Sequence, residues 1–367
     1  MKPRSPFSMD VEPSPQLLRG RHIAAGVLLI VALLCAFWWW KTFPFREHHQ
    51  ILHVSFDAFR HVSQELDPQF ESQARDSTFE FLDIQTHHAG SIQQAKGVAT
   101  GLIADVASFA TPMEIVEIQR RGIAVPDDWE QRYPHHSSPC YSTVVWVVKP
   151  SAGTLAPAWS SLLGTSVRPC MPDPTASGAG RYAYLAVIIG SRTHPSPSST
   201  AFASPQANRI LEKIHITGDR ASSAARQFLQ SPHLNVLLTW ESEALQLLRQ
   251  HAHSGLTIVY PEHPILAEPV VVELVQHTAQ RGTGPSVHAY LNYQFTEAAQ
   301  SAFAKAGFRP RLKQVLHADT PEFPELDWVA IESALGPWPE LLDSAFGPKG
   351  HYTHLQALRK ARHGGSE

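Results

Sequence analysis

From residue 51 onward, short apolar runs alternate with stretches of helical periodicity, the arrangement of an α/β fold on mainly parallel sheets. The runs fall at residues 51–56, 79–84, 104–109, 143–148, 235–239, 256–260 and 270–274. Along 79–84 (FEFLDI) apolar and polar positions alternate, as on a strand with one covered face, whereas 143–148 (TVVWVV) is apolar almost throughout, as on a strand buried on both faces. Several runs end at polar turns that open helical segments. The segment His53-Val54-Ser55-Phe56-Asp57 leads into one, Gly90-Ser91 opens another from Ile92, and Ser177-Gly178-Ala179-Gly180 opens a third. The pattern therefore predicts helix N-termini at strand ends. The first amides of a helix lack internal partners and carry partial positive charge, so converging termini make an anion site.

A different pattern precedes this region. Residues 23–40 (IAAGVLLIVALLCAFWWW) form eighteen residues without a charge, long enough to cross a bilayer core of about 30 Å. Lys2, Arg4, Arg19 and Arg21 precede the run and Trp38, Trp39 and Trp40 close it, which predicts a cytoplasmic tail (1–22), a transmembrane helix (23–40) and an exported remainder after a linker (41–50). The run ends in tryptophans and Lys41 rather than in small residues of A-x-A type, so the reading is an uncleaved signal-anchor. Leu33-Leu34 ahead of Cys35 lack the small residue that favours lipidation. Residues 191–206 (SRTHPSPSSTAFASPQ) read as a surface excursion.

Composition narrows the chemistry. With 367 residues, 43% of them hydrophobic, the chain can bury two domain cores. A formal net charge of −3 with no basic run gives no field for nucleic acid. Three cysteines, one of them inside the apolar run, leave only Cys140 and Cys170 as a pair, too few for a disulfide framework or a zinc cage. The adjacent pairs His87-His88 and His135-His136 diverge along the chain and no H-x-x-x-H with an acidic partner occurs, so no metal and no cofactor are expected. Neither G-x-x-x-x-G-K-[ST] nor G-x-S-x-G is present. What remains of an enzymatic reading is Ser91 or Ser177 acting with His88.

Several short motifs follow one another in a fixed order: Val54-Ser55-Phe56-Asp57, Ala89-Gly90-Ser91, Ser137-Ser138-Pro139, Ala176-Ser177-Gly178-Ala179-Gly180-Arg181, Leu237-Leu238-Thr239-Trp240-Glu241-Ser242-Glu243-Ala244, Ile265-Leu266-Ala267-Glu268-Pro269, Phe308-Arg309-Pro310-Arg311 and Phe346-Gly347. In this order the chain, from about residue 51 to 355, resembles the periplasmic sulfate- and thiosulfate-binding proteins of ABC importers. The resemblance implies a two-lobed periplasmic-binding-protein fold (type II). Lobe 1 would comprise 51–142 plus 258–310 and lobe 2 143–257, with 311–367 packing on lobe 1. It also implies a ligand, sulfate or thiosulfate, held by neutral donors: the amide of Asp57, the hydroxyls and amides of Ser91 and Ser177, the amides of Gly178, Ala179 and Ala221, and the indole N–H of Trp240. Arg181 would stand behind them, bonded to peptide carbonyls. The implied partner is an ABC permease in the inner membrane, and the implied place is its periplasmic side.

The chain departs from the family pattern at three points. Ile92 stands where the family has glycine, Ala179 replaces the second glycine of a Ser-Gly-Gly turn, and Arg220-Ala221-Ser222-Ser223 replaces Gly-Ala-Arg-Gly. These substitutions bear on ligand identity more than on fold. They also motivate an alternative, a membrane-anchored oxyanion sensor or assembly partner that no longer serves import.

Overall fold

The computed structural model describes residues 29–35, 37–38, 48–78, 81–192 and 202–364. Two sheets organise these residues. The first has the order β9-β3-β1-β2, with β1 at His48–Phe56, β2 at Phe81–Ala89, β3 at Val106–Phe109 and β9 at Val270–Glu273. Here β1 runs parallel to β2 and β3, and β9 runs antiparallel to β3. The second has the order β6-β5-β7-β4-β8, with β4 at Val144–Val148, β5 at Pro169–Met171, β6 at His215–Ile216, β7 at Val236–Trp240 and β8 at Thr257–Val259. There β5 is parallel to β6 and β7, whereas β4 is antiparallel to β7 and β8. The first sheet is thus mainly parallel with one antiparallel edge strand, as expected, and the second is evenly mixed.

Helices cover these sheets in the order the sequence predicts. Lobe 1 carries α1 (Arg60–Thr78), α2 (Ser91–Ala99) and α3 (Pro112–Arg120), and lobe 2 carries α4 (Gly178–Gly190), α5 (Pro205–Lys213), α6 (Ala221–Gln230) and α7 (Glu241–Gln250). Every residue of α4 is buried, Arg181 included. A helix apolar on all sides has no solvent face to offer and must lie inside a core. The α3 terminus is fixed by Thr111, whose hydroxyl accepts from Met113 N while Glu114 accepts from Thr111 N, a reciprocal capping box.

The connections between lobes correct the expected boundaries. Ser142 and Ala267 exchange two backbone hydrogen bonds of 2.8 and 3.0 Å, and Cys140–Tyr141 pairs with Arg309–Pro310, so these segments form the crossing. Residues 258 and 259 belong to lobe 2, because β8 pairs with β4 before the chain returns. The final segment does not pack on lobe 1 alone. Helix Trp338–Phe346 lies on α3 of lobe 1, where Arg120 binds Asp343 at 2.6 and 3.0 Å, but His351 bonds Tyr184 (2.6 Å) and Asn208 (2.7 Å) and Arg359 bonds the carbonyls of Leu211 and Ile214, all in lobe 2. Its apolar residues Ala345, Tyr352 and Leu355 are buried, and the tail straddles both lobes.

Cys140 and Cys170 are buried and free. Of the apolar run at 23–40, residues 29–35, 37 and 38 are helical with Leu29, Ile30, Leu33 and Leu34 exposed, and the rest lies outside the described residues. Among the described residues no helix is long and apolar enough to cross a membrane.

Candidate oxyanion site between the lobes

Each predicted ligand-binding residue sits at the end of a strand or the start of a helical element, and the folding of the sheets brings these positions together. Asp57 opens a short 3-10 turn (Asp57–Phe59) directly after β1. Ser91 is the first residue of α2, behind the extended Gly90. Ser177 caps α4, and Gly178 and Ala179 are the first residues of that helix. Ala221 opens α6 and Trp240 ends β7. All seven residues line one small cavity of about 20 Å³, together with Phe56, Ala58 and Gly90. That volume holds about one water, so the lobes are shut against each other.

The donors in this cavity are poised and unspent. Ser91 Oγ accepts from Ala110 N at 2.8 Å and Ser177 Oγ accepts from Gly180 N at 3.3 Å, which leaves each hydroxyl proton to be given away. The leading amides of α2, α4 and α6, those of Ser91, Gly178, Ala179 and Ala221, meet no backbone acceptor among the described residues. The Trp240 indole is 1% exposed, and among the described residues its Nε1 has no hydrogen-bond acceptor. Its ring is held edge-on by Tyr182 (5.2 Å) and Phe308 (5.8 Å), so the donor direction is set by packing.

Two expectations are corrected. The amide of Ser177 is consumed by Asp173 O at 2.8 Å, because the turn before α4 closes on itself, and only its hydroxyl remains for a ligand. Arg181 does not bond peptide carbonyls. Its Nη2 binds Glu117 at 2.6 Å and its Nη1 lies 3.5 Å from Glu114, carboxylates carried by α3 of the opposite lobe, while Phe346 stacks over the guanidinium at 5.1 Å. A buried cation requires a countercharge more than a dipole, and α3 supplies it. Burial pushes the Glu114 carboxyl up against the pull of Arg181.

Other contacts escaped the sequence reading. Ser222 Oγ donates to Asp57 Oδ2 at 2.5 Å, joining α6 to the end of β1 across the cleft. Gly178 and Ala110 meet across the same gap, where a Cβ on Gly178 would lie 2.1 Å from that of Ala110. Arg220 lines the cavity but is tied to Asp219 at 3.3 Å. No local signal marks the Ser222–Asp57 and Gly178–Ala110 pairs, since each joins residues far apart in the chain. Neither Ser91 nor Ser177 bonds His88, and burial pushes the His88 imidazole down to about 4. The Ser/His pairing is therefore not assembled. Among the described residues no group of three His, Cys, Asp or Glu side chains is placed to hold a metal.

Two lobes joined by crossing segments, with a cavity between them, are the architecture of a solute-binding protein. Residues 53–309 match the family model of bacterial extracellular solute-binding proteins, and the chain belongs to that family. Similar chains include the thiosulfate-binding protein of Pseudomonas aeruginosa, 29% identical over 83% of this chain and 91% of the relative. The sulfate-binding protein of Escherichia coli is 28% identical over 83% and 92%. Among solved structures, the sulfate-binding protein SubI of Mycobacterium tuberculosis superposes with a TM-score of 0.68 at 23% identity, covering 82% of this chain and all (100%) of that one. A periplasmic thiamin binding protein shares the fold at a TM-score of 0.54 and 14% identity, covering 86% and 94%.

Proposed function

We propose that the protein captures sulfate or thiosulfate outside the cytoplasm and delivers it to an ABC permease. The observation that carries this reading is the cavity at the helix starts: hydroxyl, amide and indole donors line it, and the cation at its wall, Arg220, is already paired with Asp219. Stripping a dianion of water costs tens of kcal/mol, and each hydrogen bond to a charged group returns about 1.5–3 kcal/mol, so many convergent donors are required. Helix termini add about 0.3–2 kcal/mol each. A site built of donors also selects. Hydrogenphosphate carries a proton that needs an acceptor, and leaving it unpaired costs about 1–3 kcal/mol, whereas sulfate and thiosulfate at neutral pH carry none.

Capture proceeds by closure rather than by bond breaking. In an open form the donors of Asp57 and Ser91 on lobe 1 separate from those of Ser177, Gly178, Ala179, Ala221 and Trp240 on lobe 2. The anion bridges the two groups and draws them together. The membrane helix at 23–40 belongs to the same proposal. Its charge-free length and flanking cations support a tether that keeps the binding lobes beside the permease on the periplasmic face. Calorimetry of the chain in detergent against sulfate, thiosulfate, phosphate and molybdate tests the reading. Heat with sulfate or thiosulfate and little with phosphate is expected; no heat with either sulfur oxyanion would remove the importer reading and favour an anchored assembly partner.

A further inference from the structure

We propose that the groove beside the small cavity is a second, outer anion site, in which Arg60 and Arg226 hold a doubly charged oxyanion before it passes to the neutral donors within. This rests on the oxyanion reading above and deepens it. The groove has a volume of about 510 Å³, lies between the lobes, and shares Asp57 and Ala58 with the inner cavity. Arg60 and His61 at the start of α1 form one wall, and Arg226 on α6 with His251 after α7 contributes to the other. Its two carboxylates are subdued. Asp57 accepts from Ser222 and lies 3.5 Å from Arg60, and Glu243 is pushed up to about 7 by burial and by Asp57, so much of its negative charge is missing at neutral pH. Among the described residues Arg226 has no anionic partner and Arg60 has only the long contact to Asp57. The two guanidiniums are therefore the least compensated charges facing the groove.

The inner cavity lacks what the groove has. Its amide, hydroxyl and indole dipoles bind well at contact but attract weakly at a distance, whereas full charges act over a Debye length. A division of labour follows: the outer cations raise the rate of encounter, and the inner dipoles decide what is kept. When the lobes part, the Ser222–Asp57 bond between the two compartments opens, and the anion has a short path inward.

Stopped-flow tryptophan fluorescence with sulfate as the probe tests this on the full chain in detergent. R226Q and R60Q should each lower the association rate about 3- to 5-fold at about 10 mM chloride, with the difference vanishing near 1 M salt, where the Debye length falls to about 3 Å. Dissociation rates should not change. R121Q, which removes an exposed cation outside the groove, should leave both rates at the wild-type value. Unchanged association in both groove variants, or an equal fall in R121Q, would overturn the proposal. A wild-type chain that binds no sulfate would instead strike the oxyanion reading itself.

Discussion

Trp240 shows how much a single donor can contribute. Its indole is packed against Tyr182 and Phe308 and lines the cavity, where its Nε1 proton is the one hydrogen-bond donor that a phenyl ring would lack. Trp240→Phe keeps most of the ring packing and removes only that proton, so the dissociation constant for sulfate should rise about 10- to 100-fold while the melting temperature stays near wild type. Calorimetry beside a thermal melt separates the two effects. Lobe 1 holds a second residue-scale test, in a buried network remote from the ligand. His53 lies 2.8 Å from Ser108 Oγ and 3.2 Å from the Tyr290 hydroxyl, which donates to Asp67 at 2.6 Å. Burial, with a smaller push from His88, lowers the His53 imidazole to about 3, and burial raises the Asp67 carboxyl to about 6. Between about pH 4 and 6 the unfolded chain carries a proton on His53 that the folded chain lacks, and the folded chain carries one on Asp67 that the unfolded chain lacks, so their effects oppose. Asp67→Asn should therefore lose stability as pH falls through that window, by about 1.4 kcal/mol per pH unit, and His53→Asn should gain it. Denaturant midpoints at several pH values check both signs. That the candidate residues fall at helix starts was legible in the sequence, as at Gly90-Ser91 and Ser177-Gly178. The spent amide of Ser177 was not, since it depends on how the preceding turn from Asp173 folds back.

At the scale of elements, the site is a meeting of helix starts, and its closeness depends on what those starts lack. Gly178 begins α4 against Ala110, which follows β3, and there is no room for a methyl group between them. Gly178→Ala should leave each lobe folded and hold the cleft ajar, raising the dissociation constant at least about 10-fold through lost donor contacts. Ala110→Gly in the same chain should recover much of the loss, because it vacates the opposing position. Strand positions were readable wherever burial left an unbroken apolar run, as in β4 and β7. The far half of β2 was hidden, because Gln85-Thr86-His87-His88 has no apolar alternation and is strand only by pairing along the whole of β1. The lobe boundary near residue 258 was misjudged for a related reason. Leu256-Thr257-Ile258-Val259-Tyr260 is a strand pattern that does not say which sheet it will join, and β4 claims it.

For the whole molecule, the structure is a closed state with ties across the cleft. Ser222 to Asp57 is one, and Arg181 to Glu117 and Glu114 is another. Ser222→Ala removes a half-buried bond to a carboxylate, so it should speed sulfate release about 5- to 30-fold, equivalent to about 1–2 kcal/mol, as read by stopped-flow dissociation. The tail from residue 311 adds a further tie, because it lies on α3 of one lobe and reaches Tyr184 and Asn208 of the other. The family resemblance implied that it packs, but not that its two helices would settle on different lobes. The central claim, that both lobes close on an oxyanion through neutral donors, is tested most directly by anomalous diffraction from crystals grown with selenate, a heavier isostere of sulfate. The account predicts a strong selenium peak in the inner cavity, at a position that places selenate oxygens within hydrogen-bond distance of Ser91 Oγ, Trp240 Nε1 and the amides of Gly178 and Ala221. No peak in the inner cavity at saturating selenate would contradict it.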